Sequence, residues 1–204
     1  NDMVRANDYS VVFLRDPLSH AKSHFLFCRD SEWGQHARTA DFPLSESEDD
    51  DYGVWLRHFL DLPVQHSAWT YDDFNCIDVR NVITRQLTCR HPHNPPHRNA
   101  HPPNHAVQPE LWNVADANKN LDRASFIGIS SRMEESICLL RKMYDYPFHE
   151  IPVETHGVVN SSVRLNDPVF EPLVRNLTSL DSQVYAYGLM LFERQLELFP
   201  DCVV

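Results

Sequence analysis

Arg15 and Ser23 have the side-chain types and the spacing to hold a phosphate. A guanidinium offers a planar fork of donors that matches a phosphate bidentately, and a hydroxyl adds one more donor. Two such groups, eight residues apart, meet if a strand ends at the first and a helix carries the second. The neighbouring residues favour that arrangement. Val11, Val12, Phe13 and Leu14 form an unbroken apolar run, as expected of a central parallel strand covered on both faces. Asp16 supplies an N-cap oxygen, and Pro17 stands at the first helical position, where an N–H is not needed. Ser23 then lies two turns along the helix, on the face of Asp16 and Ser19. Arg15 falls at the carboxyl end of a strand, where open α/β sheets place their ligands. The same spacing also fits an arginine that closes a strand and a serine on a solvated helix face. These residues alone leave both readings open.

A second polar group, Asn81, Thr84 and Arg85, lies in NCIDVRNVITRQLT at 75–88. Ile77, Val79, Val82, Ile83 and Leu87 share a helical stripe there, with Asp73 or Asn75 as the cap. Taken alone, Asn81 and Thr84 read as a polar helix face. Cys76 and Cys89 on one helix would stand about 20 Å apart, beyond the roughly 7 Å between Cα atoms that a disulfide spans. The five cysteines (Cys28, Cys76, Cys89, Cys138, Cys202) are too scattered for a zinc motif and too few for a disulfide scaffold. Their odd number leaves at least one unpaired within the chain.

Two segments suggest metal chemistry and fail on closer reading. His91, His93, His97, His101 and His105 lie in the proline-rich stretch 89–108. A defined metal site needs a scaffold and a second shell, which dense proline does not supply, so the stretch reads as a flexible insertion. The acidic run SESEDDD at 45–51 lacks the spaced ligands and turn glycine of an EF-hand loop and reads as a solvated loop before a helix. No metal is expected.

The elements around these residues follow from periodicity. Cys28 to Pro43 reads as loop, and Trp55, His58, Phe59 and Leu62 recur as a short helix stopped before Pro63. A helix is expected over 109–121, then a strand from Ser125 to Ile129. Ser131 and Glu134 have the spacing of a capping box for a further helix with Met133, Ile137, Leu140 and Tyr144 on one face. Cys138 reads as a small buried hydrophobe within it. The stretch 144–168 reads as loop. A last helix runs from Asp181 to Phe199 with Tyr185, Leu189, Phe192, Leu196 and Phe199 on its stripe, ended by Pro200. Two strand–helix units of this kind imply an α/β fold, a parallel sheet flanked by helices.

Composition bounds the function. With 204 residues the chain fits one domain or most of one, and 42% apolar residues with 14 prolines suggest a core carrying long loops. A net charge of −11 is a poor match to nucleic acid, which needs a basic footprint, and argues mildly against a highly sulfated polysaccharide. No run of about 18 apolar residues is present to span a membrane. The opening NDMVRANDYS has no initiator methionine and reads as the middle of a protein. Sequons at Asn160 and Asn176 are compatible with a lumenal protein.

Arg15-Asp16-Pro17 with Ser23 resembles the 3′-phosphate-binding segment of sulfotransferases that use 3′-phosphoadenosine 5′-phosphosulfate (PAPS). It looks most like the Golgi carbohydrate O-sulfotransferases of the heparan and chondroitin kind. Asn81, Thr84 and Arg85 are similar to the Asn-x-x-Thr-Arg segment that borders the acceptor site in that family. Asn120-Leu121-Asp122, then Phe126 to Ser130, then Arg132 to Ser136 resemble its Phe-x-Gly-Leu-Thr-Glu-Arg segment, with Ser130 for the threonine and Ser131 for the acid. Asn160-Ser-Ser-Val-Arg164 resembles a late loop that closes over the nucleotide through Ser162 and Arg164, unless Asn160 carries a glycan. Leu180-Asp181, Tyr185, Tyr187 and Leu191-Phe192 look like its final helix. The region 41–108 matches poorly.

The resemblance implies a P-loop NTPase-like sulfotransferase fold of which residues 1–204 are the C-terminal part of a single domain. It implies PAPS as cofactor, held by Arg15, Ser23, Ser162 and Arg164. A glycan acceptor would lie near Asn81 and Arg85. It further implies the lumenal side of the Golgi membrane, reached through an N-terminal anchor outside this chain. Catalysis would need a general base and a glycine-rich 5′-phosphosulfate loop, and neither is found here. In the family both precede the Arg-Asp-Pro strand, which puts them upstream of Asn1. His20, His24 and His36 follow that strand and so depart from the family's order for a base. This chain alone is therefore expected not to turn over substrate. A non-catalytic module of the same fold, binding a glycan or a protein, is the alternative. A P-loop kinase-like enzyme is disfavoured, because no magnesium-binding acidic motif follows a strand.

Overall fold

The computed structural model describes residues 10–61, 74, 78–88, 112–144 and 168–203. Within them the chain is mostly helical, with a small two-stranded parallel sheet flanked by helices. Strand β1 is Val11–Leu14, and helices α1 (Pro17–Asp30), α2 (Glu32–Ala37), α3 (Glu48–Asp61) and α4 (Val82–Leu87) follow. Helix α5 (Val114–Leu121) leads into β2 (Phe126–Ile129), a 3-10 turn at Ser130–Arg132, and α6 (Met133–Tyr144). Helices α7 (Phe170–Leu177) and α8 (Ser179–Glu197) come last, with a 3-10 turn at Pro200–Cys202. No helix among the described residues is long and apolar enough to cross a membrane. The His/Pro-rich stretch 89–108 and all but the ends of the loop expected over 144–168 lie outside the described residues, and Tyr144 is the last residue of α6.

The strand–turn–helix at the start forms for the local reasons its sequence gives. Asp16 Oδ2 accepts from the Ser19 N–H at 2.9 Å, Ser19 Oγ donates back to Asp16 O at 2.9 Å, and Pro17 opens α1. β1 pairs with β2 in parallel, Val11 opposite Phe126 through Leu14 opposite Ile129. β2 is buried at every position, whereas β1 alternates: Leu14 is buried, but Val11 is 47% and Phe13 40% exposed. The expectation of a strand covered on both faces therefore fails for β1. Helices cover the Val12–Leu14 side, and on the other side Phe13 leans over Gly128 onto the Phe126 ring, with centroids 5.6 Å apart. A Cβ at Gly128 would meet the Phe13 ring at 2.5 Å, so any larger residue there would push that ring aside. Gly188 of α8 is equally constrained, since a Cβ there would fall 2.1 Å from Leu14 Cδ1.

Two apolar clusters form. Phe25, Tyr52, Trp55, Phe59, Phe74 and Leu177 join α1, α3 and α7; Leu14, Leu121, Ile127, Leu139, Val184 and Phe192 join the sheet to α5, α6 and α8. Burial of large aromatic and aliphatic side chains in this manner is the main stabilising force.

Several elements depart from the pattern read in the sequence. The loop expected from Cys28 to Pro43 is helical in its first part and irregular over 38–43: α1 continues to Asp30 and Ser31 caps α2 (Glu32–Ala37), its Oγ accepting from the Gly34 N–H. The acidic run is the first turn of α3, where carboxylates suit the positive helix end. Asp51 is buried there, accepting from the Ser45 N–H and facing Arg29 at 3.7 Å. α4 begins only at Val82, because Asn81 takes a left-handed conformation (φ 46°) and Asp78 Oδ1 accepts from the Arg80 N–H. The Asn75–Thr88 helix is thus not formed across 78–81. A 3-10 turn replaces the Ser131–Glu134 capping box, and Ser136 Oγ holds the end of β2 instead, accepting from Ile129 N and donating to Ile129 O. Cys138 forms a disulfide with Cys202 rather than serving as a buried hydrophobe, and Cys28 is disulfide-bonded as well.

Candidate functional site

A cavity of about 460 Å³ opens where both strands end. Arg15 is the first residue after β1 and Ser130 the first after β2, and the register sets Leu14 beside Ile129. Helix α1 contributes His20, Ser23, His24 and Phe27, the i, i+3, i+4, i+7 face of one helix, and α4 contributes Ile83, Gln86 and Leu87. The volume lies in the range of small-molecule sites. Ligands of parallel α/β sheets sit at this end of the strands.

The electrostatics of the cavity favour an anion. Arg15 is exposed, and neither it nor the Ser23 hydroxyl has a hydrogen-bond or ion-pair partner among the described residues. Among the described residues, no carboxylate lines the cavity. Burial, and then the Arg15 charge, pushes His20 down to about 4. Burial, followed by His20, Arg85 and Arg15, pushes His24 down to about 3. Both rings are therefore neutral near pH 7, with centroids 4.1 Å apart. His24 Nδ1 is buried without a hydrogen-bond partner. Unpaired buried polar atoms are uncommon. Here one belongs to a ring that lines the same cavity as Arg15 and Ser23, both without a partner among the described residues.

Asn81 and Arg85 stand elsewhere. Asn81 precedes α4 yet caps α8: its Oδ1 accepts from the N–H of Leu180 at 2.9 Å and of Asp181 at 3.4 Å. Asp181 returns the bond to α4, its Oδ1 accepting from Thr84 N and Thr84 Oγ1, each at 2.7 Å, and its Oδ2 from Ile83 N at 3.1 Å. The two helices thus cap each other's N-termini. Arg85 donates to Asp78 O at 2.5 Å, approaches Asp78 Oδ2 at 3.8 Å and lies 5.3 Å over the Trp112 ring. Arg80 grips the same Asp78 carboxylate, with Nη2 to Oδ2 at 2.7 Å. These groups form a frame in which Asp78, Arg80, Thr84 and Asp181 are buried and Asn81 and Arg85 half-buried. Neither Asn81 nor Arg85 lines the cavity itself.

The structure brings Arg15 and Ser23 to one cavity, as their spacing predicts. Ser162 and Arg164 lie outside the described residues. His20, His24, Gln86 and Ser130 were not singled out as binding residues from sequence. The signal for the histidines was present, because His20 and His24 share the helical face of Ser23. No group of three or more metal-ligating side chains occurs among the described residues. Comparison with protein-family models, with curated proteins and with solved structures returned no match.

Proposed function

We propose that the chain grips the 3′-phosphate of PAPS and belongs to a sulfotransferase acting on a glycan hydroxyl, built on an incomplete P-loop NTPase-like fold. The observation that carries this reading is the convergence of Arg15 and Ser23 on one cavity at the carboxyl ends of two parallel strands. Arg15 would hold two phosphate oxygens through its guanidinium fork, and Ser23 would donate to a third. In the transfer, the bond from sulfur to the 5′-phosphate oxygen breaks, a bond from sulfur to the acceptor oxygen forms, and the acceptor proton passes to a base. The leaving group is 3′-phosphoadenosine 5′-phosphate. Charge builds on the transferring group and on the leaving phosphate, so positioning and cationic donors dominate catalysis. The part assigned to Arg15 and Ser23 is positioning, and no base is assigned.

Ser162 and Arg164 enter the proposal as further nucleotide contacts. Asn81 and Arg85 enter as residues of the frame bordering the acceptor side. The Cys138–Cys202 disulfide supports a lumenal setting, since such bonds persist in oxidising compartments.

Calorimetric titration of the 204-residue chain with 3′-phosphoadenosine 5′-phosphate tests the reading. Arg15→Ala is expected to weaken binding by roughly 10- to 150-fold, the worth of a charge-assisted contact of about 1.5–3 kcal/mol. Equal affinity in the variant removes Arg15 from the site.

A further inference from the structure

We propose that His20 and His24 complete the anion site and take up one proton between them as a phosphate dianion enters, so that the grip tightens as pH falls. The inference rests on the reading above, that the cavity receives a phosphate.

The geometry supplies the argument. Both imidazoles line the cavity from the α1 face that carries Ser23, and His24 Nδ1 has no hydrogen-bond partner among the described residues. The charged groups that face them are cations: Arg15 from the β1–α1 turn, which lowers both rings, and Arg85 from α4, which lowers His24. Gln86 of α4 and Ser130 at the end of β2 are neutral neighbours. The cavity lining thus combines cationic charge with two neutral rings. A dianion between Arg15 and the rings reverses that balance and offers acceptor oxygens to ring N–H groups.

An opposite charge at contact raises a histidine by about one to three units. Starting from about 4, His20 then comes within reach of a mildly acidic pH. The second ring stays neutral, because two charged imidazoles with centroids 4.1 Å apart repel. The proton comes from solvent and stays on the imidazole, and no bond to the ligand forms or breaks.

The size of the effect follows from linkage. A rise of about two units for one ring tightens binding roughly fourfold between pH 7.5 and 5.5. The ligand's own phosphate titrates near pH 6 and works against this, so the measurement is a difference between proteins. Wild type and the double variant His20→Gln/His24→Gln are titrated with 3′-phosphoadenosine 5′-phosphate at both pH values, in buffers of different ionisation enthalpy. Glutamine keeps a polar side chain without a titrating proton. Wild type is expected to gain about fourfold over the variant on acidification and to take up an additional fraction of a proton.

Identical pH dependence and proton uptake in both proteins, with binding intact and lost in Arg15→Ala, overturns this inference and leaves the phosphate reading standing. Absence of binding by wild type at either pH overturns both. Should the double variant fail to fold, proton NMR of the histidine rings in wild type decides: ligand must raise the midpoint of one ring, and unchanged midpoints overturn the proposal.

Discussion

The frame between α4 and α8 and the cavity beside it treat their polar groups in opposite ways. In the frame, Asp181 accepts three hydrogen bonds, Asn81 Oδ1 accepts two, and the Asp78 carboxylate faces two guanidiniums. At the cavity, the Ser23 hydroxyl and the Arg15 guanidinium have no partner among the described residues, and His24 Nδ1 is buried and unsatisfied. Paired polar groups hold elements in place, whereas unpaired ones gathered around a cavity leave donors and acceptors that a ligand would satisfy under the proposed function. The contrast separates two motifs that look alike in sequence. Arg15 and Ser23 of the first line the cavity, while Asn81 and Thr84 of the second tie two helices together and Arg85 bonds to Asp78.

The most disruptive way to test the contrast is to break the frame. Asp181→Ala leaves the Thr84 N–H, the Thr84 hydroxyl and the Ile83 N–H without their acceptor in a buried site. A loss of about 3–5 kcal/mol in urea unfolding is expected, since several buried donors lose a charged partner at once. A loss under about 1 kcal/mol would mean that solvent or relaxation satisfies those donors and that the frame is not structural.

Acid provides the next largest effect and sets the two regions against each other. His20 and His24 titrate at about 4 and about 3 in the folded chain, below the ordinary 6.5. Between 6.5 and those values the unfolded chain binds protons that the folded chain refuses, so stability is full above pH 6.5 and falls as pH drops. For His20 alone the loss on reaching its folded value is on the order of 3 kcal/mol. Asp181 runs the other way. Burial raises its carboxyl despite the hydrogen bonds from Thr84 and Ile83, so its contribution is greatest in acid and declines as pH rises above the ordinary carboxylate value of 3.8. Thermal unfolding between pH 7 and 4.5 should therefore show a falling Tm in wild type and a flatter profile in His20→Gln/His24→Gln. Parallel profiles would show that the rings are not held neutral by the fold.

How much of this was legible in the sequence depends on how local each cause is. The β1–α1 turn is local: an apolar run, Asp16 as cap and Pro17 at the helix start lie within seven residues, and the structure forms as they prescribe. The cover over β1 is not local. Val11 and Phe13 are as apolar as Val12 and Leu14, and only the neighbours decide which pair is exposed. The stripe read across 75–88 misled for a related reason. Val79 packs in the cluster of α1, α3 and α7, and Ile83 packs in the cluster around the sheet. A periodic pattern was thus shared between two cores, with left-handed Asn81 at the joint. Cys138 resembled a core residue because its disulfide partner lies 64 residues away. At the site, the common face of His20, Ser23 and His24 was readable from spacing. The burial that keeps the rings neutral was not, nor was the added effect of Arg85 on His24, because both come from elements distant in sequence.

A gentler change at that joint distinguishes the two duties of Asn81. Its side chain caps α8 and its backbone sits at φ 46°, where residues other than glycine are strained. Asn81→Ala should lose about 1–2 kcal/mol, combining a lost cap with an unfavourable backbone. Asn81→Gly loses the cap alone and should be the milder by about 1 kcal/mol. Equal losses in urea unfolding would mean that the backbone conformation contributes nothing.

The smallest expected effect on stability belongs to Arg15. Its side chain is exposed and unpaired among the described residues, so Arg15→Ala should change unfolding free energy by no more than about 0.5 kcal/mol. The variant also removes a positive charge that lowers both histidines, which favours a slight gain in acid. A residue whose removal leaves the fold unaltered while removing nucleotide binding serves a ligand. One whose removal unfolds the chain, as expected for Asp181, serves the frame. If Arg15→Ala instead destabilised the protein by several kcal/mol, the free guanidinium at the end of β1 would belong with the frame, and the contrast between the two regions would collapse.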